Sequence, residues 1–504
     1  MALKSTAAKI FASFIHRRNQ KWIQHPIAAQ EKVRKNLIKK ALRTDFGRDH
    51  HFESIHSYAD FKKRVPIRDY EALRLYVDKM VAGSSDVLWP GKPLYYAKTS
   101  GTTSGSKYIP ITKESMPMHI KTARDAILNY IYQTGNSGFV DHKMIFLQGS
   151  PELSDKNGVQ LGRLSGIVAH YIPSYLKKNR LPSWETNCID DWETKVDAIV
   201  DETLMESMGI ISGIPPWVQM YFEKLIKKTG KPIKEIFPNF KLFIYGGVNY
   251  EPYKSIFKKL IGTDIPSIEL YPASEGFFAY QDQHNGVYEK GMLLQLDSGI
   301  FYEFIRVEDF LADKKEARIC LKDVEIDVNY VMIISTTAGL WGYNIGDTVQ
   351  FTSISPYRLR VSGRVKHYIS AFGEHVIAKE VEESLKYAVL KTNAVVNEFT
   401  VAPMVNPDSG LPYHEWFVEF SDTDRCDKEA FANYLNEQMC IQNSYYKDLI
   451  DGNILKPLVV TVVINGGFRT YMKSLGKLGG QNKLPRLSNN RKIADKLQES
   501  LHKY

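Results

Sequence analysis

Thr99-Ser100-Gly101-Thr102-Thr103-Ser104-Gly105-Ser106-Lys107 is the stretch whose reading decides the fold. Glycines let backbone N–H groups come close to an anion, and the interleaved hydroxyls add donors, so the run reads as a phosphate cradle. An apolar strand at Lys92 to Tyr96 leads into it, and helical periodicity resumes at Glu114 to Tyr132, which predicts a loop between a strand and a helix. The competing Walker register fails: counting from Gly101, the second required glycine falls on Ser106, and Tyr108 follows Lys107. A polar loop without a ligand stays open as the other reading of these residues.

Downstream, the apolar runs Lys143 to Gln148 and Lys241 to Tyr245 end at Gly149-Ser150 and Gly246-Gly247, with helical stretches at Asp191 to Met208 and Trp217 to Lys228 between them. Strands alternating with helices imply a largely parallel sheet whose ligands bind beyond the strand C-termini. From Gly299 to Phe351 short strand-like pieces predict a β-rich subdomain. After Gly363-Arg364 the pattern becomes a smaller α+β unit, with a strand near Tyr368, helices at Ala378 to Leu390 and Lys428 to Met439, and strands at Trp416 to Phe420 and Leu458 to Ile464. The expected class is α/β: a large N-terminal domain, 1–363, with mixed and parallel sheets and the β-rich subdomain, then a smaller α+β lid, 364–504. No internal repeat points to a solenoid.

Composition narrows the function. Across 504 residues, 43% hydrophobic and 12% aromatic side chains provide for sizeable cores, and the net charge of +9 is modest. No zinc-finger or RNA-binding spacing accompanies the basic residues, so no nucleic-acid partner is expected. Cys188, Cys320, Cys426 and Cys440 lack CxxC spacing, which fits a reducing cytoplasm. The apolar stretch Pro457 to Asn465 is far shorter than the roughly 18 residues of a membrane span, and a monomer without a transmembrane segment is expected. Lys4, Lys9, Arg17, Arg18 and Lys21, with no acid in the first thirty residues, resemble a transit peptide or membrane-surface helix. Ile10, Phe11, Phe14 and Ile15 at helical spacing, continuing past Pro26 into Ala28 to Leu42, instead favour a helical pair packed on the main body.

Three further motifs carry chemistry. Tyr271-Pro272-Ala273-Ser274-Glu275 offers an aromatic face for a purine and a carboxylate for Mg²⁺, although a core tyrosine and a solvated acid would read the same. Tyr343-Asn344-Ile345-Gly346-Asp347 places a carboxylate that can accept both hydroxyls of a ribose, or marks an ordinary turn. Gly363-Arg364 follows. Their order makes the case that none makes singly.

In that order the chain resembles the adenylate-forming enzymes, and within them the Gretchen Hagen acyl acid-amido synthetases, plant hormone-conjugating enzymes with bacterial relatives; a bacterial-type member is expected. The resemblance covers essentially the whole length, with Tyr245 to Asn249 similar to the family's adenine-side strand end, Gly363 to Glu374 to its hinge and Gln481 to Arg486 to its C-terminal lysine segment. It implies ATP and Mg²⁺ as cofactors. Ser100, Gly101, Thr102, Thr103 and Lys107 would hold phosphates, and Gly246, Gly247, Tyr271 and Ala273 would flank adenine. Ser274 would approach the reacting phosphate, Glu275 would hold the metal, and Asp347 and Arg364 would bind ribose. Lys483, rather than Lys473 or Lys477, would bridge carboxylate and α-phosphate, neutralising two anions that must meet. His375 stands where members often carry lysine, which puts a phosphate contact there in doubt. Phe277 and Phe278 are candidate walls of an acyl pocket, or core. The implied partners are a carboxylic acid and an amine, an amino acid; the alternatives are a coenzyme A thioester ligase and a nucleotide-binding protein without turnover.

Overall fold

The computed structural model describes every residue except 1, 100–106, 173–177, 248–249, 251–252, 285–290, 366–367, 370, 373–375, 422–426, 453, 477–483, 489 and 502–504. It resolves into two compact units, Met1–Val248 with Leu260–Val361, and Asn249–Lys259 with Ser362–Tyr504.

The first unit begins with two helices, α1 (Ala2–Gln24) and α2 (Pro26–Ala41), the second opened by a proline at its first turn, where the missing N–H costs nothing. The buried stripe of α1 is Ala12, Ile15, Asn19 and Trp22, spaced i, i+3, i+7, i+10. Of the four apolar residues expected to pack, only Ile15 does; Ile10, Phe11 and Phe14 face outward. The true seam escapes a hydrophobicity reading because it includes a small Ala12 and a polar Asn19. Arg18 fastens α1 to the helix Met116–Thr134 through a 2.6 Å ion pair with Asp125, whose carboxylate also takes Arg124 at 2.8 Å.

Twelve strands of the described residues form the main sheet. Arg180–Leu181, Lys143–Phe146, Met208–Ser212, Leu242–Gly246 and Ser267–Ala273 pair in parallel, as the alternating helices require. Asp191 caps one of those helices, Trp192–Thr203, by accepting the Thr194 N–H at 2.9 Å. From Gly276–Tyr280 onward the pairing is antiparallel, through Met292–Leu294, Tyr357–Arg364, Tyr343–Ile354, Asn329–Thr336 and Ile300–Arg306 to Ile319–Cys320. The expected β-rich segment is present. Its strands extend the parallel half into one continuous mixed sheet, because both faces of Asn329–Thr336 are apolar and need covering.

Within this unit one core runs from Ile15 and Trp22 through Trp89 and Trp341 to Phe304 and Phe351. The second unit has its own core, in which Val396–Met404, Tyr413–Phe420 and Val459–Val463 form a three-stranded sheet packed on the helices Ala378–Thr392 and Lys428–Gln442. Val396–Met404 is not evident from the sequence; Pro403 and Asn397 inside it mask a strand that pairs antiparallel with Tyr413–Phe420, with a register shift at Asn397. Among the described residues no helix is long and apolar enough to cross a membrane, and Cys188, Cys320 and Cys440 are free thiols.

Candidate functional site

The strands that flank the Gly/Ser/Thr run pair with each other. Tyr95–Thr99 and Lys107–Ile111 pair antiparallel in a small second sheet, with Thr99 opposite Lys107, so residues 100–106 join two strands rather than a strand and a helix. This corrects the expected setting: Tyr108, Ile109 and Ile111 favour an extended chain before Met116 starts the helix. Ser100, Gly101, Thr102 and Thr103 lie outside the described residues. Lys107 is held at the mouth of the hairpin, its Nζ 5.5 Å from the centroid of the Tyr70 ring, while the Tyr70 hydroxyl accepts the Tyr108 N–H at 2.9 Å.

Gly246 ends the parallel strand Leu242–Gly246 opposite Leu270. A Cβ there would stand 2.6 Å from the Leu270 carbonyl oxygen, so only glycine lets the two backbones approach; Gly247 follows in a left-handed conformation, φ +85°. The neighbouring strand Ser267–Ala273 carries Tyr271 and Ala273, and Ser274-Glu275 form its two-residue turn into Gly276–Tyr280. Tyr271 is thus inside the strand, which runs three residues beyond the apolar Ser267 to Leu270. Ser274 is buried and Glu275 half-buried.

Tyr271 and Asp347 meet. The tyrosine hydroxyl donates to Asp347 Oδ2 at 2.5 Å, and both side chains are buried. The Tyr271 ring stands edge-on to Phe278, centroids 5.0 Å apart, so Phe278 is core, as is Phe277. Gly346, beside Asp347, has φ +85° and open space where a side chain would be. The structure thus joins the motifs Tyr271 to Glu275 and Tyr343 to Asp347 by a direct contact. The backbone of Arg364 ends the strand Tyr357–Arg364; its side chain lies outside the described residues, as do His375 and Lys483.

Two polar side chains that the sequence did not single out are buried in the same unit. Gln148, just beyond the C-terminal end of Lys143–Phe146, is 1% exposed, and neither its Nε2 nor its Oε1 has a partner. Its signal in the sequence was a lone amide closing an apolar run ahead of Gly149-Ser150. His119, on the helix that follows the hairpin, is fully buried with Nδ1 unpartnered; burial pushes its pKa down to about 4, so it is a neutral imidazole at pH 7.

In the second unit, the segment after Lys483 is firmly anchored. Thr400 Oγ1 donates to the Pro485 carbonyl at 2.7 Å, and the Val401 N–H to that of Arg486 at 2.9 Å. The Arg486 guanidinium pairs with Glu398, donates to the Tyr253 hydroxyl at 3.1 Å and lies 4.7 Å from the Phe399 ring centroid. Burial opposes its charge, but Glu398, Tyr253 and Glu382 outweigh it and raise the pKa above the ordinary value.

Among the described residues no three or more His, Cys, Asp or Glu side chains are grouped so that they could hold a metal ion. Glu275 alone still fits a magnesium ion, which binds through one or two carboxylates, water and substrate phosphates.

Three models match in chain order: the GH3 family N-terminal domain over residues 16–194, its central domain over 293–364 and its C-terminal domain over 375–492. The jasmonoyl-L-amino acid synthetase JAR4 of Nicotiana attenuata is 22% identical over 356 residues, 58% of this chain; the match spans 60% of that relative's length. The solved structure of the GH3.15 acyl acid amido synthetase superposes with a TM-score of 0.78 at 15% identity, covering 98% of this chain and 96% of the other. A 2-hydroxyisobutyryl-CoA ligase in its postadenylation state superposes at 0.58 and 13% identity, over 95% and 92%. These likenesses establish a shared fold.

Proposed function

Because the chain belongs to the GH3 family, we propose that it is an ATP-dependent acyl acid-amido synthetase, and one of bacterial type. A substrate carboxylate oxygen attacks the α-phosphorus of ATP, giving acyl-AMP and pyrophosphate. An amine, that of an amino acid, then attacks the acyl carbonyl; the amide forms, the amine loses a proton, and AMP leaves. The observation that carries this reading is the Tyr271–Asp347 hydrogen bond, which brings two motifs 76 residues apart into one contact and so supports a shared site for base and ribose.

In this reading Asp347 and Arg364 accept and donate to the ribose, and Gly246, Gly247, Tyr271 and Ala273 border the base. Ser100, Gly101, Thr102, Thr103 and Lys107 hold phosphates. Ser274 approaches the α-phosphate, and Glu275 holds the Mg²⁺ that offsets pyrophosphate charge. Lys483, carried by the mobile domain 364–504, brings an ammonium between the two anions that must meet. Closure would also keep water from the activated acyl group. The three free thiols support a reducing, cytoplasmic setting.

Radiolabelled pyrophosphate exchange into ATP tests the first step. Exchange that requires a carboxylic acid, found across a panel of acids and abolished by Lys483→Ala, is the expected result. Absence of acid-dependent exchange throughout a broad panel would overturn the proposal and leave a nucleotide-binding protein without turnover. The fold shared with a CoA ligase motivates a second reading with a thiol acceptor; AMP release with an amino acid but not with coenzyme A separates the two.

A further inference from the structure

We propose that α1 docks the protein on an anionic lipid surface. Residues 1–44 contain eleven lysines and arginines and one acid, Glu31, a net +10 where the whole chain carries +9. The other 460 residues together are therefore almost neutral, and the basic excess belongs to α1, α2 and the turn after them. Glu31 is engaged by Arg34 and Lys35 within α2, and Arg18 is taken by Asp125. Lys4, Lys9, Arg17 and Lys21 remain exposed, with no ion pair among the described residues.

The same helix exposes large apolar side chains. Ile10 is 69% and Phe14 62% exposed, with Phe11 also outward beneath Arg124. At about 100° per residue, residues 10, 14, 17 and 21 share one stripe, about 150° around the helix from the buried Ala12, Ile15, Asn19 and Trp22. Isoleucine and phenylalanine thus project on the very line that carries Arg17 and Lys21. Packing explains the inner stripe and leaves the outer one unexplained.

Charge complementarity selects an anionic partner, and the apolar pair selects its kind. Single-stranded nucleic acid is gripped by cations around stacking aromatic faces, to which Ile10 offers nothing. A bilayer interface takes both parts at once: apolar side chains enter the headgroup region while long cationic side chains reach lipid phosphates. The contact is peripheral, since no described helix is long and apolar enough to cross.

Flotation of the full chain with phosphatidylcholine vesicles, with and without phosphatidylglycerol, provides the test. Binding is expected only to the anionic vesicles and should fall with added salt. Arg17→Ala with Lys21→Ala should weaken partitioning about fivefold per cation removed. Ile10→Ser with Phe14→Ser should abolish it at low salt as well, while thermal unfolding by circular dichroism stays unchanged because all four side chains are exposed. Three results would overturn the proposal: no dependence on phosphatidylglycerol, serine variants that bind like the parent, or retention on RNA without vesicle binding.

Discussion

The Tyr271 hydroxyl donates to Asp347 Oδ2 at 2.5 Å although their strands stand four places apart in the sheet. Four strand spacings laid flat would separate them by about 19 Å. The ladder between Asn329–Thr336 and Tyr343–Ile354 breaks between Asn344 and Thr348, with Gly346 in a left-handed conformation, so Asp347 leaves the regular pairing where it meets Tyr271. Tyr271→Phe and Asp347→Asn test it as a double-mutant cycle. A buried hydrogen bond to a charged group contributes about 1.5–3 kcal/mol, and a coupling of that order between the two substitutions, read from urea unfolding, is expected. Additive effects would mean that the two side chains do not meet. In the proposed enzyme either single substitution should also raise the KM for ATP more than it lowers kcat.

Gly246 and Gly276 give a paired prediction. A methyl at Gly246 meets the Leu270 carbonyl oxygen at 2.6 Å, a backbone atom fixed by the sheet; a methyl at Gly276 meets the terminal Cδ1 of Ile300 at the same distance. The isoleucine can rotate and the carbonyl cannot. Gly246→Ala is expected to cost the upper part of the usual overpacking range of about 1–3 kcal/mol, and Gly276→Ala the lower part. Thermal unfolding of the two variants side by side checks the order.

What could be read from the sequence followed the period of apolar residues. The helices Pro215–Thr229 and Ala378–Thr392 and the strand Ile300–Arg306 emerge within a few residues of their observed ends, because each presents a clear apolar stripe or run. The setting of the Thr99 to Lys107 run was not legible: hairpin pairing is a relation between strands, and Tyr95 opposite Ile111 leaves no mark in either strand alone. Nor was the outward face of α1, since Phe14 and Ile15 are equally apolar and only the tertiary partner decides which is covered. Motif order pointed to Tyr271 and Asp347 as parts of one site, but not to their direct bond. Gln148 was passed over because an amide at a strand end has no distinguishing pattern until its burial is known.

Glu380 predicts a pH dependence in the second unit. Its partly buried carboxyl accepts the Ile377 N–H at 3.0 Å and the Asn443 side-chain amide at 3.1 Å at the start of the helix Ala378–Thr392. Burial pushes its pKa up to about 7, against those hydrogen bonds and Lys379, from an ordinary value of 4.5. The folded state thus holds the proton more tightly than the unfolded chain. This contribution is complete below about pH 4.5 and is lost as pH rises through about 7. Glu380→Gln keeps an acceptor without a titration, so its Tm should decline less than the parent's between about pH 5 and pH 8. Parallel Tm profiles for the two proteins would refute the assignment.

Gln148 should behave in the opposite sense to an ordinary core residue. A buried amide with neither Nε2 nor Oε1 bonded destabilises the free protein, since its hydration is lost without replacement. Such a group persists where a ligand supplies the missing partners, and its place just past the C-terminal end of a parallel strand is where α/β sheets bind ligands. Gln148→Met fills nearly the same volume without polar atoms. Unfolding of the free variant is expected to be harder by about 1–3 kcal/mol, while acid-dependent pyrophosphate exchange falls at least tenfold, by about 1.4 kcal/mol of lost transition-state binding. Stability that drops while exchange is untouched would make Gln148 a packing residue. Stability that rises while exchange falls would mark it as a group held unsatisfied for the substrate.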